Sequence, residues 1–341
     1  MTQQSPPVDP APPPRLGRRM LPVLGLALLA PWVGEYVMGS HTVRDLPLII
    51  FLVPMYGGGA LLIRELARRT GRGWATMLLL GLAYGVIEAG LFDQSLFNPD
   101  YAGVDFQSIA HIPGLRMSGY FGLMFVAGHA IWSIGVPIAV IESLFPRRST
   151  TPWLRTPGLV ATAGLYLLGG AIIYADLQET EGFSASAVQL TVAAVLALAF
   201  IVTAFRVPDR PTRPGAGAPE RRVLVLLLAL VASRLLWMPE NWLGVAISLA
   251  VLTGMAWLVL RWSRSPRWDQ GHRLALAGGA LLTHAWDGFY LAPWRPVSAT
   301  EELISDIAFT VAAITLILVG IRQVRRARQL TAEREPQPVG G

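Results

Sequence analysis

The chain has no cysteine and no lysine. Without cysteine there is no disulfide, no iron–sulfur cluster, no thiolate metal ligand and no thiol nucleophile. Without lysine there is no P-loop lysine to grip a phosphate and no Schiff-base chemistry. All 28 basic side chains are arginine. Charge of either sign is scarce, at 15% of 341 residues, where a soluble domain carries about 25%. The Walker A pattern, the dinucleotide fingerprint and the GxSxG nucleophile elbow are missing as well.

What is present is apolar surface. Hydrophobic residues make up 53% of the chain, in runs of roughly 20 that recur along its length. This is the signature of an all-α, polytopic transmembrane helix bundle. Ten segments are expected, at about 21–39, 47–64, 74–92, 119–145, 157–175, 187–205, 223–238, 243–260, 274–292 and 303–321. The fourth is long enough to tilt or kink, and Pro137 inside it removes a backbone donor.

The net charge of +6 does not point to nucleic acid, because the arginines lie in short connections between apolar runs. With the N-terminus inside, every arginine except Arg44, Arg116, Arg234 and Arg295 falls on the inner side. That alternation fits the positive-inside rule for ten spans with both termini cytoplasmic. Trp32, Trp242 and Trp294 suit the outer interfacial belt, and Trp74, Trp153 and Trp268 the inner one. The expected location is the plasma membrane, with the bilayer as the one partner the composition demands.

Residues 1–20 are proline-rich, end in a basic cluster and read as a disordered cytoplasmic tail. No small-residue cleavage site follows the first apolar run, which is therefore expected to stay as a helix. Residues 21–321 form the membrane domain, with a Pro/Gly/Arg linker at about 207–222, and 322–341 is a basic tail. The segment 93–118 is a long outer loop with polar and aromatic residues, a pattern common in functional loops.

Ionisable groups inside apolar runs carry the functional signal. Each costs roughly 2.5–3.5 kcal/mol at mid-membrane on insertion scales. Glu35, Glu88, Asp93, His129, Arg234, His284 and Asp287 all fall in the outer half of the expected topology, and Asp306 opens the last helix from that side. Glu142 is the exception, near the inner end of the fourth helix. This one-sided bias implies a shared, outward-facing polar cavity. Gly81 and Gly85 form a GxxxG pair on the face of Glu88, so Glu88 is expected against a neighbouring helix. Asp93 lies roughly 140° around a 3.6-residue helix from it. His284 and Asp287 share a face at i,i+3. Glu35 and Arg234 are expected to pair. Glu88, His129, His284 and Asp287 together supply enough oxygen and nitrogen ligands for a divalent metal such as zinc, or an acid–base site without one.

IEAGLFDQ followed by FVAGH resembles the CPBP family of intramembrane proteases, the CAAX-protease and bacteriocin-processing type. That family carries EExxxR on one helix, FxxxH on the next and a later HxxxN or HxxxD. Glu88 matches the first glutamate, and Phe125 and His129 match the second motif. Ala89 stands where the second glutamate belongs and Asp93 where arginine belongs, while HAWD places its Asp at the third position after His284. The resemblance implies hydrolysis within the membrane. Ten spans also resemble transporters built from two inverted five-helix halves, with GHAIW and THAWD at corresponding positions. Three readings follow: a membrane-embedded hydrolase acting on a lipid-like molecule or membrane peptide, a secondary transporter of a small molecule with a protonatable carboxyl, and a structural or assembly protein glued by polar contacts.

Overall fold

A computed structural model describes residues 16–208, 217–236 and 238–333. Residues 1–15 of the expected N-terminal tail, 209–216 of the linker and 334–341 of the C-terminal tail lie outside these.

Ten helical rods run through the described residues. Helix α1 is Leu16–Pro31 continued by a π-helical turn, Trp32–Tyr36. Helix α2 is Val43–Arg69, α3 Trp74–Phe92, α4 Gly119–Leu144, α5 Thr156–Thr180, α6 Ala187–Arg206, α8 Trp242–Trp262 and α10 Ala299–Ala332. Between these lie α7, Arg222–Leu235, and α9, Gln270–Asp287. The seven rods α2 to α6, α8 and α10 are long and apolar enough to cross a membrane. Helix α7 has 14 residues and α9 has 18. Thirteen residues of α9 are buried, so it is surrounded by other helices and need not be apolar enough to face lipid.

The layering follows from burial. Only 17%, 22% and 17% of the apolar windows of α5, α6 and α8 are buried, against 61% and 67% for α3 and α4. The first three present leucine and valine outward, and α3 and α4 form the centre. Small residues bring the central pair together. A Cβ on Gly81 would stand 3.1 Å from Ala130 Cα, and one on Gly85 would stand 2.8 Å from Val126 O.

Side-chain bonds define two ends. At one end Arg72 donates to Val207 O, Gln270 to Ser143 Oγ, and Arg222 to Asp269. At the other, Asn98 donates to Glu181, Thr42 to Glu301, and Gln189 to Leu115 O. The first end gathers most of the arginine-bearing connections. The second carries the long 93–118 loop, which is folded rather than open. Residues His111–Ile112 (β1) and Met117–Ser118 (β2) form a two-stranded antiparallel hairpin, and Gln94, Ser95, Leu96, Phe97 and Asn98 are buried beneath it.

The arginine-rich end holds a buried network around Glu142. Arg64 and Arg68 both donate to Glu142 Oε1, at 3.1 and 2.9 Å, and Arg68 reaches Oε2 at 2.8 Å. Arg64 also donates to Glu65 at 2.9 Å and to the carbonyls of Arg148, Ser149 and Thr151. Glu65 accepts the backbone N–H groups of Trp153 and Leu154. Each buried charge has an opposite partner, which is the condition for burying it at all. The result fixes the 146–154 turn and gives Glu142 a structural role.

The kink expected at Pro137 takes a definite form. Four rods contain a π-helical turn: Trp32–Tyr36, Val53–Gly57, Glu88–Phe92 and His129–Gly135. Pro31, Pro54 and Pro137 lie at or beside three of them. Pro137 has no N–H to offer the Ser133 carbonyl inside the last of these turns and its ring pushes that carbonyl away, which opens the ladder there.

Candidate functional site

Each π-helical turn carries one polar side chain into the same space: Glu35 from α1, Tyr56 from α2, Glu88 from α3 and His129 from α4. Such turns widen the helix by one residue and occur frequently at functional sites.

Tyr56 is the hub. Its hydroxyl donates to Glu35 Oε1 at 2.5 Å, and the same oxygen stands 3.4 Å from Glu88 Oε1 and 3.5 Å from His129 Nε2. His129 Nε2 is 3.0 Å from Glu88 Oε2, with His129 14% and Glu88 5% exposed. His129 Nδ1 is 2.6 Å from Phe125 O. A carbonyl only accepts, so Nδ1 carries a proton and donates it there. Nε2 is therefore protonated only in the imidazolium form. The pair has two states of equal net charge: imidazolium beside carboxylate, or neutral imidazole beside carboxylic acid. Exchanging them moves one proton over 3.0 Å and adds no net charge to a low-dielectric interior.

Two polar atoms here are buried without an aligned hydrogen-bond partner, Glu88 Oε2 and Tyr84 Oη. Such atoms are uncommon in folded proteins, because each forfeits hydration without return. The Tyr84 ring packs 6.1 Å from Tyr56 and 5.8 Å from His129. Asp93 follows the π turn, with its N–H on Glu88 O at 3.0 Å, so a 3.6-residue wheel does not apply across it. Its carboxylate accepts from Ser95 N at 2.9 Å and faces Tyr101 Oη at 3.4 Å. The loop closes over this region through Phe106, edge-on to Phe121 at 4.6 Å and to Phe125 at 5.4 Å.

The other expected members lie elsewhere. His284 stacks flat on Trp132 at 4.2 Å and its Nδ1 is 3.3 Å from Val33 O. Asp287 pairs with Arg234. The Glu35–Arg234 pair is thus not formed: Glu35 belongs to Tyr56, and Arg234 to the carboxylate one bundle layer away. The shared i,i+3 face of His284 and Asp287 does hold as helix geometry, but the two side chains serve different neighbours. Among the described residues, which include all four expected ligands, no group of three or more His, Asp or Glu side chains is set to hold a metal ion. The zinc set of Glu88, His129, His284 and Asp287 does not fit this arrangement.

Reasoning on the sequence alone passed over Tyr56, and placed Tyr84 on the helix face of Glu88 without giving it a part in the site. Each sits in an apolar run where an aromatic reads as packing. The available signal was a proline two residues before Tyr56, and the i,i+4 spacing of Tyr84 and Glu88.

The comparisons with known proteins agree on class. A family model described as "Uncharacterized membrane protein family" matches residues 24–334. The chain belongs to this family. The match reaches into all ten rods. No curated protein and no solved structure matches the chain. The membership supports a multi-pass membrane protein and adds nothing on protease or transport chemistry.

Proposed function

We propose that all ten rods cross the membrane, with the arginine-rich end in the cytoplasm, and that the π-turn cluster is the acid–base site of a membrane-embedded hydrolase. The substrate class is a lipid-like molecule or membrane peptide with a carbonyl bond to break. The observation that carries this reading is the contact of His129 Nε2 with Glu88 Oε2, whose buried oxygen lacks an aligned donor.

In the imidazolium–carboxylate state the pair holds a base and an acid side by side. Glu88 takes a proton from a water whose oxygen attacks the carbonyl carbon. His129 gives the Nε2 proton to the leaving group as the bond to it breaks. Glu88 then returns its proton to His129, which restores the starting state. The backbone bond at Nδ1 fixes the ring, which keeps Nε2 within 3.0 Å of Glu88 Oε2. Tyr56 donates to Glu35 and stands 3.4 Å from Glu88 Oε1, which places the two carboxyls on either side of one hydroxyl. This reading shares its glutamate and histidine with the CPBP resemblance, and needs neither that family's second glutamate nor its later histidine.

The test is oxygen transfer. Purified protein in liposomes of total bacterial lipid, with added membrane peptides, is incubated in water labelled with heavy oxygen. One labelled oxygen is expected in each new carboxyl product, absent with Glu88→Gln and with His129→Ala. No protein-dependent label in any lipid or peptide would sink the hydrolase reading.

A second reading has its own support. Tyr56 bridges two carboxyls, Glu35 and Glu88, which makes a proton path of four groups from His129 to Glu35. That path suits a proton-coupled transporter. Its mark is proton flux into proteoliposomes that stops in Tyr56→Phe.

A further inference from the structure

A second candidate site lies at the arginine-rich end, on the far side of the bundle from Tyr56. Helices α7, α9 and α10 part there around a cleft of about 490 Å³. This is within the range of small-molecule sites, roughly 300–1,000 Å³. Its floor is apolar, with Leu226 from α7, Leu274 from α9, and Ile317 and Ile321 from α10. Its rim carries two arginines, Arg222 from α7 and Arg325 from α10, and one acid, Glu220, just before α7.

The two arginines differ in how they are held, and both leave capacity for an anion. Arg222 lies across Gly271, where even a Cβ would come within 2.5 Å of its Nε. One nitrogen of Arg222 donates to Asp269 at 2.9 Å, while its buried Nε has no acceptor. Arg325 is exposed and has no ion pair or hydrogen bond among the described residues. The nearby acids are engaged: Asp269 by Arg222 and Arg328, and Glu220 by Arg267.

We propose that this cleft binds an anionic phospholipid, with its phosphate between Arg222 and Arg325 and an acyl chain along the apolar floor. Charge complementarity selects this occupant. An apolar cleft alone would take any lipid chain, but two under-used guanidinium groups at its mouth favour a net negative headgroup. Basic pockets between transmembrane helices bind anionic headgroups in this way.

Native mass spectrometry of the full chain tests it, with phosphatidylglycerol and phosphatidylcholine of identical acyl chains. Phosphatidylglycerol is expected to be retained preferentially. Each arginine near an anionic surface is worth about fivefold, so Arg325→Gln should weaken retention about fivefold and Arg222→Gln with Arg325→Gln about 30-fold. Ala275→Phe, which fills the cleft, should lower retention of both lipids. Arg325→Gln breaks no contact within the described residues, so it remains readable if the others fold poorly. Equal retention of the two lipids, or no loss in Arg325→Gln, overturns the proposal. So does a lipid-free dimer as the dominant species, which would mean that a second copy covers the cleft.

Discussion

His129 Nε2 stands 3.0 Å from Glu88 Oε2, and the Phe125 carbonyl on the other side of the ring decides what that contact means. With Nδ1 committed to Phe125 O at 2.6 Å, the only mobile proton of the pair lies between the histidine and the glutamate. Coupling between them is the expected consequence. A double-mutant cycle with Glu88→Gln and His129→Ala should give an interaction energy of about 0.5–3 kcal/mol in thermal unfolding. In the labelled-water assay each single variant should lose at least about 100-fold, the scale of one acid–base group. A stability effect with unchanged turnover would leave the pair as helix glue.

The pair depends on how closely α3 and α4 approach. A Cβ at Gly85 would meet Val126 O at 2.8 Å, Val126 Cα at 2.9 Å and His129 Cβ at 3.2 Å. The first two are backbone and cannot swing aside. Gly85→Ala should therefore cost about 1–3 kcal/mol and separate Glu88 from His129. Gly164→Ala on α5, where nothing lies within 4 Å, should be neutral or gain up to about 1 kcal/mol, since alanine is the better helix former. Thermal stability of both variants in one detergent checks the contrast. Equal effects would mean that packing at Gly85 does not hold the site.

At the opposite end, Arg64 is fully buried and holds two glutamates and three carbonyls. Arg64→Met removes the closest cation from Glu65 and one of the two from Glu142, and should cost about 3–5 kcal/mol. It should also expose the 146–154 turn to limited proteolysis. Arg69 lies 3.7 Å from Glu65 and is 27% exposed. Arg69→Gln should cost about 1 kcal/mol or less. Intact turn protection in Arg64→Met would place the anchor elsewhere.

The turn between α1 and α2 should respond to pH. Burial pushes the His41 imidazole below its ordinary 6.5, with Arg295 adding to the shift and Asp45 opposing it. Tyr36 packs beside the ring at 5.1 Å. The unfolded turn then binds more protons than the folded one below the ordinary value. Its stability is full above 6.5 and falls as the pH drops through that value toward the lower folded one. Protection of the amides in residues 37–45, taken relative to their intrinsic exchange rates, should fall below that point and lose this dependence in His41→Gln. Protection that is flat with pH would contradict a half-buried neutral histidine.

Much of this architecture is written in residue order. Runs such as WATMLLLGLAYGVIEAGLF and QLTVAAVLALAFIVTAF are too apolar and too long to be anything but bundle helices. Gly81, Gly85 and Glu88 share a face at the 3-and-4 spacing, which is local geometry. Helix ends shifted by a few residues, as with 274–292 against Gln270–Asp287. The polar start of that helix is capped by Asp269, which accepts from His272 N.

Neighbours were not legible. His284 and Asp287 share a face in sequence, yet one meets Trp132 and the other Arg234. Spacing fixes a direction around one helix and says nothing about which helix lies there. The π-helical turns add a second obstacle, since an extra residue per turn breaks the 3.6 register where the site begins. By itself, the sequence determined a lysine-free, cysteine-free membrane bundle with costly carboxyls and histidines buried in it. Only the tertiary structure decided that Glu88 meets His129 and that Tyr56 joins them to Glu35, because contacts between helices far apart in the chain are set by how their side chains pack.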